Sequence, residues 1–98
     1  MEWIEELCQG ARQVAGVKDQ EIKLVGVCVE LSAVLLQYHE GKASLEAVID
    51  NVADVELMIE QLRWNYEALH FGERVEAVKL AKLEGLKEQL EEEERAQQ

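Results

Sequence analysis

LEAVIDNVADVELMIEQL, residues 45–62, repeats its apolar residues at steps of three and four: Leu45, Val48, Ile49, Val52, Val55, Ile59 and Leu62. That spacing lines one face of an α-helix over nearly five turns, and a strand would need alternation instead. Ser44 is placed to cap this helix, and Gly41 to end the one before it in a left-handed conformation. Glu46 falls in the first turn, at the positive end of the helix dipole. Working toward the N-terminus, a second helix is expected from Asp19 as N-cap to about His39, with Ile22, Val25, Val29, Ala33 and Leu36 toward the core. Its middle is apolar almost all round, so a second subunit is expected to cover one face. Trp3, Ile4, Leu7, Cys8, Ala11 and Val14 mark a first helix from Glu2 to Ala15, ended by Gly16. A last helix carries Val75, Val78, Leu83, Leu86 and Leu90, with Gly72 as the break before it. The reading is an all-α fold in one domain, 1–98: a small antiparallel helical bundle completed by oligomerisation, as a dimer or tetramer.

Ninety-eight residues with 48% apolar content and no proline suit one small helical domain. Glu30 divides the longest apolar run, so no uninterrupted membrane span is expected, and the acidic start Met1-Glu2-Trp3-Ile4-Glu5-Glu6 does not resemble a secretory signal. A cytoplasmic location and no membrane partner follow as expectations. A net charge of −11 opposes binding to duplex nucleic acid, whose phosphates the field repels. Four of the acids, Glu91 to Glu94, lie in an acidic end at about 91–98, read as a solvated or frayed helix terminus. Cys8 and Cys28 sit on apolar faces with no histidines at ligand spacing, which favours buried, reduced thiols.

The two central helices carry Gly26-Val27-Cys28-Val29-Glu30-Leu31 and Asn51-Val52-Ala53-Asp54-Val55-Glu56. These segments, with Asp54 to Leu62, resemble the signature helices of the MazG-like all-α nucleotide pyrophosphohydrolases. In that family Glu-Glu-x-x-Glu on one helix faces Glu-x-x-Asp on the next. Gly16 and Gln20 match residues that precede the first signature helix in short phage-type members. Tyr38-His39-Glu40-Gly41-Lys42 is similar to their basic turn, and the stretch from Glu73 through Lys87 to their terminal lysine and Arg-Leu pattern, with Gly85 where an arginine is usual. The resemblance covers about residues 16–92. In its register Gly26, Val27 and Asn51 stand where three carboxylates belong, and only Glu30 and Asp54 remain.

Five carboxylates would hold Mg²⁺, which demands several hard oxygen ligands and activates the water that splits a phosphoanhydride. With three of five absent, the resemblance implies a nucleotide pocket without the catalysis: no catalytic residue, no metal beyond the vestigial Glu30 and Asp54, and no cofactor. The expected ligand set is Glu30, Asp54 and Asn51 from the signature helices. Arg63, Lys79 and Lys82 would meet phosphate, and Trp64 and Tyr66 would stack on a base. The expected function is a non-catalytic nucleotide-binding protein that sequesters a nucleotide-type small molecule or second messenger, as a phage counter-defence sponge would. Two alternatives stay open. One is an active Mg²⁺-dependent pyrophosphohydrolase with a reduced site, and the other an acidic helical inhibitor that binds a basic protein surface.

Overall fold

A computed structural model describes residues 2–98, apart from the side chains of Val14 and Ala15, so the place expected for Val14 in the first stripe lies outside the described residues. The described chain is helical: α1 (Glu2–Ala15), α2 (Val17–His39), α3 (Leu45–Asn65), a 3-10 turn (Glu67–Leu69) and α4 (Phe71–Ala96). It divides into two compact units, Met1–Asn65 and Tyr66–Gln98.

In the first unit, α1 and α2 meet at a single residue. Gly16 has φ +79°, donates its N–H to the Arg12 carbonyl at 2.9 Å and accepts the Gln20 N–H at 3.2 Å. Glycine adopts this left-handed backbone without the Cβ clash other residues meet. Gly16 therefore takes the N-cap role expected of Asp19, and Asp19 moves into the first turn, where its charge complements the helix dipole. At the other end of α2, Gly41 has φ +76°, its N–H reaches the Tyr38 carbonyl at 3.1 Å, and Lys42 reaches Gln37 at 2.8 Å. These are the paired bonds of a Schellman termination, and they turn the chain back on itself. The Ser44 hydroxyl then accepts the Ala47 N–H at 3.1 Å and starts α3 as expected.

The tight turn makes α2 and α3 an antiparallel hairpin. Its far end is tied by Asn65 Nδ2, which donates to Gln20 Oε1 at 2.7 Å. Gln20 is only 3% exposed, and its Nε2 is buried with no hydrogen-bond partner. The face of α2 turned toward α3 carries Gln20, Leu24, Val27, Leu31 and Val34, all buried or half-buried. The expected core stripe of Ile22, Val25, Val29, Ala33 and Leu36 is instead exposed. Both stripes keep steps of three and four, and the hairpin uses one of them. On α3 the half-buried Val48, Val55 and Leu62 follow expectation, whereas Leu45, Ile49, Val52 and Ile59 are exposed. On α1, Cys8 is buried and Ile4 and Ala11 half-buried, whereas Trp3 and Leu7 of the expected buried stripe are exposed. Cys28, expected buried, is exposed on α2.

By length and average composition α2 is apolar enough to cross a membrane, although Lys23 and Glu30 interrupt its apolar run.

The second unit begins with Tyr66 and the 3-10 turn. The break before α4 falls at His70, which has φ 55° and ψ 36°, and not at Gly72, which lies in the first turn of the helix. A left-handed histidine is uncommon, and it stops the turn as a glycine would. α4 then runs to Ala96, so the acidic end is solvated but helical rather than frayed.

Candidate functional site

The expected ligand residues separate into two groups, one in each unit. In the first unit, the Gln20–Asn65 bond sets the level of the hairpin. Glu30 lies ten residues along α2 from that bond and Asp54 eleven back along α3. At a rise of about 1.5 Å per residue, they stand about 15 and 16.5 Å from it and are nearly level with each other. Their surroundings differ: Glu30 is exposed, and Asp54 is half-buried on the side of α3 nearer the hairpin interface.

The other three positions of the expected cluster do not supply a carboxylate. Gly26 is exposed, and a Cβ built there would meet nothing within 4 Å. Val27 is half-buried on the face toward α3. Asn51 is half-buried, and its Nδ2 donates to the Ala47 carbonyl of its own helix at 2.8 Å. Among the described residues no group of three or more His, Cys, Asp or Glu side chains is placed to hold a metal ion. Glu30 and Asp54 supply two carboxylates, fewer than the near-octahedral oxygen set Mg²⁺ takes. Arg63 and Trp64 are half-buried in the last turn of α3, in this same unit.

Lys79, Lys82 and Tyr66 belong to the second unit. Tyr66 packs against Phe71 with ring centroids 5.6 Å apart and planes tilted by 33°. Phe71, Val75 and Val78 floor a groove of about 600 Å³ that is edged by Arg74, Lys79 and Lys82. Helical spacing explains the convergence: residues 71, 74, 75, 78 and 82 follow steps of three and four, which place them on one face. Lys79 Nζ also lies 3.5 Å from Glu76 Oε1. Arg74 and Phe71 were not singled out by the sequence reading, although that spacing marks them. Lys87 is exposed farther along α4 and is not part of the lining.

A second groove, of about 670 Å³, runs between α1 and α3 in the first unit. Trp3, Leu7 and Leu57 line it with Cys8, and Glu56 and Glu60 edge it. Both glutamates are exposed. Burial pushes the Cys8 thiol above its ordinary pKa, and the nearby Glu60 charge pushes it further the same way. Cys8 is therefore a neutral part of the groove wall and a poor nucleophile.

The two grooves share an apolar lining and differ in the sign of their charged edge. In a chain of net charge −11, a groove with three cations is the exception, and it has the chemistry to hold an anion that also carries an apolar or aromatic part. Compared with family models, curated proteins and solved structures, the chain matches none.

Proposed function

We propose that this protein binds a phosphate-bearing, nucleotide-type ligand without a metal ion, on a MazG-like helical scaffold that has lost its catalytic carboxylates, and that it works as a homo-oligomer. The observation that carries the reading is the groove edged by Arg74, Lys79 and Lys82 and floored by Phe71 beside Tyr66. Arginine and lysine supply charge-assisted hydrogen bonds to phosphate oxygens, and an aromatic face accepts a stacked base. The groove's volume falls within the range of roughly 300–1,000 Å³ usual for small-molecule sites.

The loss of acids supports retention rather than turnover. In an active pyrophosphohydrolase, carboxylates hold Mg²⁺ and the ion neutralises the phosphates. With Gly26, Val27 and Asn51 at three of those positions, that route is closed, and direct contact with cations replaces it.

Self-association rests on the apolar face that α2 leaves exposed within the first unit. The exposed stripe of α2 from Ile22 to Leu36 is the natural contact. A second copy covers it better than lipid does, because Glu30 lies near the middle of α2, and a central charge costs about 2.5–3.5 kcal/mol in a bilayer.

The test is a thermal-shift and calorimetry panel with ATP, cyclic dinucleotides and inorganic phosphate, in Mg²⁺ and in EDTA. Stabilisation is expected in EDTA as in Mg²⁺, with no pyrophosphate released, and it should be lost in Arg74→Ala and Lys82→Ala. Binding that requires Mg²⁺ and releases pyrophosphate would overturn the proposal and favour the reduced-site enzyme.

A further inference from the structure

From the α1–α3 groove we infer a docking site for a basic amphipathic helix of a partner protein, independent of any nucleotide bound by the second unit. Trp3 and Leu7 are exposed on the α1 side, one turn apart, and Leu57 is exposed on the α3 side. Together they present an apolar trough that one face of a helix can enter, using anchors at steps of three and four. A folded protein gains nothing from leaving this trough open to water.

The charges select the occupant. Glu56 and Glu60 stand four residues apart on the edge. No lysine or arginine lines the groove. If two copies met isologously through this face, acid would oppose acid, and like charges brought together across an interface repel. The stripe on α2 differs, being apolar from Ile22 to Leu36 with Glu30 at its flank, and it suits a second copy. The groove therefore takes a foreign helix, apolar along one stripe and rich in lysine or arginine beside it. The net charge of −11 draws such a partner in from a distance, an attraction that salt weakens.

The experiment uses the full chain with Trp64→Phe, which leaves Trp3 as the sole tryptophan. Two 18-residue helical peptides serve as probes: one of leucine and lysine in amphipathic register, and one with glutamate in place of every lysine. The lysine peptide is expected to saturate the protein, shift Trp3 emission to the blue and bind more weakly as salt rises. Glu56→Gln with Glu60→Gln should weaken it about tenfold, Leu57→Ala by a similar factor, and Arg74→Ala in the other unit not at all. Circular dichroism confirms that each variant is folded. Equal binding of both peptides, no binding at 100-fold the protein concentration, or unchanged affinity in the glutamine variant would each overturn the inference. So would a blue shift of Trp3 on raising the protein concentration alone, which would make a second copy the occupant.

Discussion

Val29→Ser tests self-association at its centre. Ile22, Val25, Val29 and Leu36 follow each other at seven-residue-repeat spacing, with Ser32 in the remaining position, and are between 58 and 67% exposed. Fully burying a valine-sized side chain is worth about 2 kcal/mol, so covering the exposed three-fifths of Val29 contributes about 1.2 kcal/mol per copy. In a symmetric pair the change removes roughly 2.4 kcal/mol, which raises the dissociation constant about 50-fold. The folded monomer should hardly notice, because serine and valine have similar helix propensity and exposed substitutions usually stay within about 0.5 kcal/mol. Val27→Ser is the contrast: Val27 faces α3, so its loss should lower the thermal midpoint of the hairpin. Sedimentation across a hundredfold concentration range reads the first effect, and circular dichroism melting the second. A wild-type monomer at tens of micromolar, or a Val29→Ser protein that associates as tightly as its parent, would refute the reasoning.

Asn65→Ala removes the donor to Gln20 and leaves a buried amide with no partner at either end, which should cost about 1–3 kcal/mol by denaturant titration; the double change Gln20→Leu, Asn65→Leu should recover most of that loss. Gly41→Ala meets no neighbour within 4 Å, so its cost of about 1–2 kcal/mol should come from the left-handed backbone alone, visible as a lower melting temperature. With iodoacetamide at pH 8, mass spectrometry should find Cys28 modified well before Cys8, since the first is exposed and the second is buried with a raised pKa. The raised Cys8 pKa also gives a pH dependence of fixed sign. Folding favours the neutral thiol, so its contribution is complete below the unfolded pKa and is lost as alkaline pH passes the folded value, an effect Cys8→Ser should abolish.

What the sequence made legible was local chemistry. Gly16, Gly41 and Ser44 set helix ends through their own backbone and hydroxyl preferences, so α1 and the turn between α2 and α3 were readable residue by residue. The orientation of α2 was not. Gln20-Leu24-Val27-Leu31-Val34 and Ile22-Val25-Val29-Ala33-Leu36 lie on opposite sides of the helix with similar spacing, and hydropathy favours the second, the one the hairpin leaves exposed. A long-range contact decides it, and its marker, the polar Gln20 facing Asn65, is one that an apolar-pattern reading discards. The start of α4 was missed because Gly72 carried the usual break signal while His70 adopted the left-handed conformation. In the candidate site, Lys79, Lys82 and Tyr66 were visible as charges and an aromatic, but that they belong to a different unit from Glu30 and Asp54 was not, since it depends on how the chain divides near Asn65.

The three residues that stand, by the resemblance, where carboxylates are usual are not equivalent in this chain. Val27 adds an apolar contact on the α3 side of α2, where a glutamate would place a charge in the hairpin interface. Asn51 spends its amide on the carbonyl of its own helix, a bond a carboxylate cannot donate. Both exchanges favour the hairpin over a metal. Gly26 gains nothing inside the chain: it is exposed, space surrounds the position of a Cβ, and a glycine in mid-helix costs about 0.5–1 kcal/mol relative to alanine. Gly26 lies one turn from Ile22 and beside Val29 and Ala33 on the exposed stripe. Under the proposed self-association its missing side chain would let the backbone of a second helix approach closely, which would offset that cost. The position that the resemblance assigns to a metal ligand would then lie in a subunit contact, and an ion with its hydration shell would have no room there.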